Sequence, residues 1–220
     1  MARQLSFDLP TGVSLEASDF FVSDANAGAF AMLQDPAGWP QGKLILSGPE
    51  GSGKSHLARI VADRTGARIV AAGDVDGLHP DGPLVVEDVD RLPRDREEAL
   101  FHLHNHMVAH RLPLLLTARG LPGAWNVALP DLASRLAATV PVRIAAPDDR
   151  LLQALILKLF ADRQILPPDG LVPYLAGRID RSYAGAHEIV TRLDNRALET
   201  RRPIGKRLAA EILSEERTDE

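Results

Sequence analysis

The chain has 220 residues, of which 45% are hydrophobic and 25% are charged, with 30 acidic against 25 basic side chains and a formal net charge of −5. This length and composition predict one globular domain, or one domain with two packed lobes, and exclude a largely disordered chain. The absence of cysteine excludes disulfides, thiolate metal sites and a cysteine nucleophile.

In chain order, the sequence divides into three parts: a polar tail at 1–17, an α/β base at 18–146 and a helical lobe at 147–220. In the base, short apolar runs alternate with helical patterns, which predicts a parallel sheet wound with crossover helices. The expected strands are 43–48, 67–73, 82–88, 112–118 and 140–146, with helices at 53–65, 95–110 and 130–137. In the lobe we expect the helices 148–162, 169–178, 182–200 and 204–214.

The strongest motif is GPEGSGKS at 48–55, which follows the first expected strand and opens the next helix. Glycines at this spacing let backbone N–H groups converge on a phosphate, while Lys54 reaches the β- and γ-phosphates and the Ser55 hydroxyl ligates Mg²⁺. The motif therefore predicts a site for ADP or ATP with Mg²⁺. Its expected nucleotide contacts are Gly48, Pro49, Glu50, Gly51, Ser52, Gly53, Lys54 and Ser55.

A phosphate loop works with an acidic side chain at the end of a neighbouring strand, which holds Mg²⁺ and orients water. The run at 82–88 ends in Glu87 and Asp88, the reverse of the expected Asp–Glu order. We assign Mg²⁺ to Glu87 and the water to Asp88, whereas a one-residue shift would give Asp88 the metal and Asp90 the second role. Because Asp88 is a short side chain for placing a water, we expect slow intrinsic hydrolysis. Thr117 ends the next run, where it can polarise water or contact the γ-phosphate.

Two further clusters have ordinary explanations. His102, His104, His106 and His110 lie in the helix expected at 95–110. Three of them share a face, which leaves a metal site as an alternative to ordinary helix histidines, although imidazole ligation needs a closing ligand and supporting hydrogen bonds. The basic run at 192–207 is best explained as a solvated helix face, because the net negative charge disfavours a protein that mainly binds nucleic acid.

Several segments together resemble the DnaA/Hda family of AAA+ proteins. FFVSDANAGAF at 20–30 fits the family's Phe-Val, Asn and Ala before the first strand, and GPEGSGKSHL at 48–57 fits its phosphate loop. EALFHLHNHM at 98–107 resembles a family helix with Phe-His and then Asn, which accounts for His102 and Asn105 without a metal. LPDLASRLAATVPVRI at 129–144 resembles the segment that carries an arginine finger. The resemblance covers about 18–200.

The resemblance implies an AAA+ fold, a phosphate-loop parallel-sheet base with a small all-helical C-terminal lid. It also implies that Phe21, Val22 and His56 contact the nucleotide and that Arg135 is an arginine finger acting in trans. At the position of the family's lid sensor arginine this chain has Ala184, with Arg178 and Arg181 nearby. We therefore expect poor discrimination between ATP and ADP and a nucleotide that is held as a structural ligand.

The tail QLSFDL at 4–9 resembles the short peptide by which bacterial proteins bind the replicative sliding clamp, the β clamp of DNA polymerase III. Its expected clamp contacts are Gln4, Leu5, Ser6, Phe7 and Leu9. The chain ends near the lid without the initiator's DNA-binding helix-turn-helix, which favours the regulatory branch of the family over the initiator.

The resemblance thus implies a nucleotide-bound adaptor that docks on the clamp and stimulates hydrolysis of ATP bound to DnaA, preventing over-initiation of chromosome replication. We further expect weak or no intrinsic ATPase activity, self-association, little direct DNA binding and no membrane binding. The chain has no secretory signal and no apolar stretch of the ~18 residues that spans a bilayer, so a cytoplasmic location at the nucleoid or replisome is expected. Two alternatives remain open: an AAA+ ATPase resembling a helicase loader, and a DNA-binding initiator fragment that uses the 192–207 helix.

Overall fold

A parallel β-sheet forms the base of the molecule. The computed structural model describes residues 20–216, and in that range the strands are β1 (Lys43–Ser47), β2 (Arg68–Ala71), β3 (Leu84–Glu87), β4 (Leu114–Ala118) and β5 (Pro141–Arg143). They form one five-stranded sheet in the order β2-β3-β4-β1-β5, with every neighbouring pair parallel. The predicted α/β class and all five predicted strands are confirmed, although each strand is shorter than its apolar run.

Helices cover both faces of this sheet: α1 (Ala27–Leu33), α2 (Lys54–Thr65), α3 (Glu97–Ala109) and α4 (Pro130–Ala137). Alternate residues of each strand point to opposite faces. Leu44 and Leu46 accordingly pack with α1 and α2, whereas Ile45 packs with α3 and α4. β1 and β4 are buried along their whole length, and residues 44–46 and 114–116 in them are all apolar, as expected for central parallel strands.

Helix α1 is the one α-helix of the described base that the sequence patterns did not predict. It is a short, Ala- and Gly-rich helix whose N-cap, Asn26, makes no side-chain cap. Asn26 instead accepts a hydrogen bond from Ser23 N at 2.9 Å and donates one to Phe21 O at 2.9 Å. This buried amide therefore fixes the segment before α1 rather than the helix itself.

The helices after Pro147 pack around a core of their own. They are α5 (Asp149–Asp162), α6 (Leu171–Ala176), α7 (Tyr183–Thr200) and α8 (Lys206–Glu216). Asp148 caps α5 by accepting from Leu151 N at 2.8 Å, and Ser182 caps α7 by accepting from Gly185 N at 2.9 Å. We call this segment, 147–216 as described, the lid. Within residues 20–216, no helix combines the length and the apolar character needed to cross a membrane.

Candidate functional site

The segment 48–53 is a tight loop between β1 and α2 that is fastened to the neighbouring strand. Gly51 and Gly53 have φ values of +75° and +87°, a conformation that glycine adopts without strain. Gly48 N donates to Ala118 O at 3.1 Å, which ties the start of the loop to the end of β4. Ser52 is buried, and its Oγ has no hydrogen-bond partner among the described residues. The loop is therefore anchored at its base and keeps an unpaired polar atom in its interior.

Lys54 begins α2 and folds back over the loop. Its Nζ donates to Gly48 O at 2.9 Å and to Pro49 O at 2.8 Å. Burial lowers the pKa of Lys54, the carboxylate of Asp88 opposes that shift, and Arg119 adds to it. An ammonium group has three N–H donors, so one remains for an incoming phosphate.

Acidic side chains follow β3 on the same edge of the sheet. Glu87 is the last residue of β3, and its buried Oε1 has no hydrogen-bond partner within residues 20–216. Asp88 has φ +56°, and its N–H donates to Thr117 Oγ1 at 3.2 Å. Asp88 and then Asp90 raise the pKa of Lys54. The loop lysine thus faces carboxylates at the end of β3, as a cation-assisted phosphate site requires.

These oxygens suit Mg²⁺, which prefers carboxylate, hydroxyl and phosphate ligands. The unpaired carboxylate oxygen of Glu87 and the exposed hydroxyl of Ser55 are the donors that the sequence assigned to the metal. Asp88, on the other hand, is the carboxylate that raises the pKa of Lys54 most, so the assignment of Asp88 to the metal and Asp90 to the second role stays open. Bound there, Mg²⁺ would neutralise phosphate charge.

Thr117 lies inside this edge and links two strand ends. Its side chain is buried, and its hydroxyl accepts from Asp88 N, which leaves the O–H free to donate. A donor at this depth can reach a terminal phosphate or a water beside it. The role given to Thr117 from the sequence remains a prediction.

Aromatic residues lie in and beside the segment that is expected to contact the nucleotide ahead of the phosphate loop. Phe21 and Val22 are exposed, at 39% and 44%, on the segment that Asn26 fixes. Phe20, which the sequence analysis did not select, stacks on Phe30 with ring centroids 5.8 Å apart and meets His56 edge-on at 5.7 Å. A Cβ on Gly53 would lie 3.0 Å from the Phe20 ring, so the ring covers the end of the loop.

The lid reaches the phosphate loop through α7. A Cβ added at Gly51 would lie 3.4 Å from both Tyr183 Cβ and His187 Cδ2. Ala184, at the expected sensor position, is exposed and brings no cation. The two nearby arginines are engaged elsewhere: Arg178 lies 3.9 Å from the Tyr174 ring centroid, and Arg181 pairs with Asp149 at 2.7 Å.

Arg135 lies at the opposite end of the sheet from the phosphate loop. It is exposed in the last turn of α4, and its charge contributes to lowering the pKa of Lys43 and His104. Lys43 begins β1, and the strand runs roughly 16 Å from there to Gly48 at 3.3 Å per residue. Arg135 therefore acts on residues at the start of β1, at the other end of that strand from the chain's own loop.

Beside it, Lys43 and His104 form a buried pair, with Lys43 Nζ 3.2 Å from His104 Nε2. Burial, followed by the charges of Lys43 and Arg135, lowers the pKa of His104 to about 4. The neutral imidazole accepts from Lys43, and His104 Nδ1 has no partner within the described range.

Because His104 is buried in its neutral form, we expect the protein to lose stability in acid. The folded state keeps His104 neutral down to about pH 4, whereas the unfolded state binds a proton below about 6.5, so stability is complete above pH 6.5 and falls between 6.5 and 4. The full effect is about 3 kcal/mol of unfolding free energy. Urea unfolding at pH 7 and 4.5 measures it: His104→Gln should flatten this drop, and the exposed His102→Gln should keep it. An unchanged drop in His104→Gln would contradict the assignment.

Helix α4 is held at its start by a residue that the sequence analysis did not select. Glu97, the buried first residue of α3, accepts from Ala128 N at 3.0 Å and from Leu129 N at 2.6 Å. Leu129 is the N-cap of α4 and offers no side-chain cap of its own. Glu97 therefore positions the helix that carries Arg135.

The remaining histidines of α3 make contacts that need no metal. His106 Nε2 lies 2.8 Å from Pro80 O, His110 Nδ1 lies 2.9 Å from His106 O, and His102 pairs with Glu98 at 3.7 Å. Among residues 20–216, no group of three or more His, Asp or Glu side chains has an arrangement that would hold a metal ion. The proposed clamp peptide, Gln4 to Leu9, lies outside the described residues.

The basic run on α7 and the segment after it is paired with acids of α8. Arg196 binds Glu215 through two hydrogen bonds of 3.0 Å, and Arg202 binds Glu211 at 2.7 and 2.9 Å. Much of the positive charge at 192–207 is thereby compensated within the lid.

The similarity of this chain to known proteins lies in its fold. No family model matches the sequence, and a search of curated proteins finds no match. Among solved structures, domain III of the replication initiation protein DnaA from Thermotoga maritima matches with a TM-score of 0.72 at 16% identity, covering 90% of this chain and 94% of that one. The chain has the AAA+ fold.

Other AAA+ structures match it over most of its length. AMPPCP-bound DnaA from Aquifex aeolicus has a TM-score of 0.64 at 16% identity, covering 82% of this chain and 65% of that one. The RuvB Holliday junction branch migration motor of Thermotoga maritima has a TM-score of 0.61 at 17% identity, covering 88% and 69%. The AAA+ fold of this chain therefore includes the helical segment after Pro147.

Proposed function

We propose that this chain is a nucleotide-bound AAA+ adaptor, similar in role to Hda, that binds ADP or ATP with Mg²⁺ and stimulates hydrolysis of ATP bound to DnaA. Support for the nucleotide comes from the anchored loop, from Lys54 and from the unpaired oxygen of Glu87. AMPPCP occupies the similar DnaA of Aquifex aeolicus. An adaptor of this kind would restrain replication initiation, because hydrolysis converts DnaA to its ADP-bound form.

The observation that carries the proposal is the location of Arg135. Arg135 is exposed near the amino-terminal end of β1, and this strand spans roughly 16 Å before the chain's own phosphate loop begins, so the arginine suits a nucleotide on a partner molecule. An arginine supplied in trans stabilises the charge that develops on the transferred phosphoryl group and accelerates hydrolysis by roughly 10³–10⁵. Self-association in the same head-to-tail manner would use the same residue.

The chain's own hydrolysis is proposed to be slow. Asp88, rather than a longer glutamate, occupies the position that we assign to water activation, and Ala184 replaces the lid arginine. Nucleotide would then act as a structural ligand that joins the base to the lid through Gly51 and Tyr183.

The compensated arginines disfavour the alternative of a DNA-binding initiator fragment. Nucleic-acid affinity comes largely from basic groups free to neutralise phosphates. Because Arg196 and Arg202 are bound to Glu215 and Glu211, little direct DNA binding is proposed.

Docking on the sliding clamp is assigned to Gln4, Leu5, Ser6, Phe7 and Leu9. The test is hydrolysis of ATP pre-bound to DnaA, measured with clamp loaded on DNA and with this protein in its ADP-bound form. We expect stimulation that requires the clamp and is lost in the double variant Gln4→Ala/Leu5→Ala, whereas Ser14→Ala, outside the motif, should behave as the unmodified protein.

Clamp-independent stimulation would contradict the docking assignment alone. No stimulation by folded, nucleotide-bound protein would contradict the adaptor role, and binding to a replicative helicase under the same conditions would then favour the helicase-loader alternative.

A further inference from the structure

Arg119 follows β4 directly and lies against the phosphate loop, although neither the motifs nor the family resemblance gives it a role. Its Nη2 forms an ion pair with Glu50 Oε2 at 2.6 Å. Its backbone N–H donates to Asp90 Oδ1 at 3.1 Å. Since Gly48 N also donates to Ala118 O, the residue before Arg119 is fastened to the loop as well. Arg119 is thus held from both sides beside the expected phosphate pocket.

The charges around Arg119 suit an anion-binding site that the exposed carboxylate of Glu50 now fills. Lys54 lies close enough for the charge of Arg119 to contribute to its lowered pKa. The two cations repel each other, and an anion placed near both offsets that repulsion. Here Glu50 supplies the negative charge, and its side chain is 73% exposed, so it can leave without uncovering a buried group.

We propose that Arg119 binds the γ-phosphate of this chain's own nucleotide. Without ATP, Glu50 is paired with Arg119, and the γ-phosphate of ATP displaces the Glu50 carboxylate. This rests on the proposed nucleotide function. A guanidinium suits the exchange because its planar fork binds carboxylate and phosphate oxygens alike.

The consequence concerns the choice between ATP and ADP. Ala184 leaves the lid without an arginine at its sensor position, and Arg178 and Arg181 are bound within the lid. In this chain Arg119, at the edge of the sheet, therefore recognises the γ-phosphate in place of a lid arginine. Glu50 weakens that recognition, because ATP must displace it.

The experiment compares affinities for fluorescent mant-ATP and mant-ADP with nucleotide-stripped protein in Mg²⁺. Arg119→Ala should weaken mant-ATP about tenfold or more, as expected for a charged hydrogen bond, and mant-ADP less than about threefold. Glu50→Gln should shift the ratio the other way, by strengthening mant-ATP relative to mant-ADP. The control Arg68→Ala removes an exposed arginine at the opposite end of the sheet and should change neither affinity.

Equal losses for the two nucleotides in Arg119→Ala, or no loss, would overturn the proposal. Should Arg119→Ala fold poorly, Glu50→Gln decides alone, because an unchanged ratio in that variant also overturns it. Failure of the unmodified protein to bind either nucleotide would overturn the nucleotide function as well, so the two failures are distinguishable.

Discussion

Arg135→Ala is expected to abolish stimulation of DnaA-bound ATP hydrolysis while leaving this chain's own nucleotide affinity unchanged. The side chain is exposed beside Lys43, at the end of β1 away from the chain's own phosphate loop, so its loss should leave that loop unchanged. A finger arginine contributes roughly 10³–10⁵ in rate, and we expect a fall to the unstimulated rate. Single-turnover hydrolysis of radiolabelled ATP on DnaA, with clamp and DNA present, measures it.

Two variants separate the charge of Arg135 from the helix that carries it. Arg135→Lys retains the charge without the planar fork and should recover only a small part of the stimulation. Asp131→Ala removes another exposed side chain of α4 and should stimulate normally. Action in trans would be refuted if Arg135→Ala stimulated hydrolysis of DnaA-bound ATP as well as the unmodified protein does. It would also be refuted if this variant lost affinity for its own nucleotide.

Lys54→Ala is expected to weaken binding of both ATP and ADP by roughly 10- to 150-fold. Its ammonium is the buried cation of the loop, and each charged hydrogen bond to a phosphate contributes about 1.5–3 kcal/mol. Titration calorimetry measures the affinities directly. Thermal unfolding gives a second measure, because a ligand at 100 times its Kd stabilises the fold by about 2.7 kcal/mol, which the variant should not show.

The matched control for Lys54 is Lys158→Ala, which removes an exposed lysine of α5 that pairs with Asp162 at 3.4 Å. It should bind both nucleotides like the unmodified protein. Affinities of Lys54→Ala within threefold of the unmodified protein would show that the loop does not bind nucleotide phosphates.

Much of the fold followed from local patterns because the sheet is buried on both faces. Short runs such as KLILS and LLLTA, bounded by turn residues, are typical of central parallel strands, and the glycines at 51 and 53 permit the positive φ of the loop. Helix α1 was not predicted because it has only seven residues and no side-chain cap, which is too short for a clear periodic signal. Asn26, which matched the family pattern, does not cap α1 with its side chain; it hydrogen-bonds to the main chain of Phe21 and Ser23.

The site was predictable where one stretch of chain carries the chemistry and unpredictable where distant stretches meet. Lys54 and Ser55 belong to a contiguous motif, and Glu87 and Asp88 end a recognisable strand. The ion pair of Glu50 with Arg119 joins residues far apart in sequence, and no spacing rule announces such a pair.

The attachment of α4 through Glu97 has a consequence for which substitutions this surface can tolerate. Its carboxylate binds main-chain N–H groups at 128 and 129, and every residue except proline supplies that donor. The exposed side chain at 128 is therefore free to change, and a partner-facing surface can diversify there at no cost to the position of α4. Position 97 has no such freedom, because aspartate is one methylene too short and an apolar residue would leave two amides unpaired.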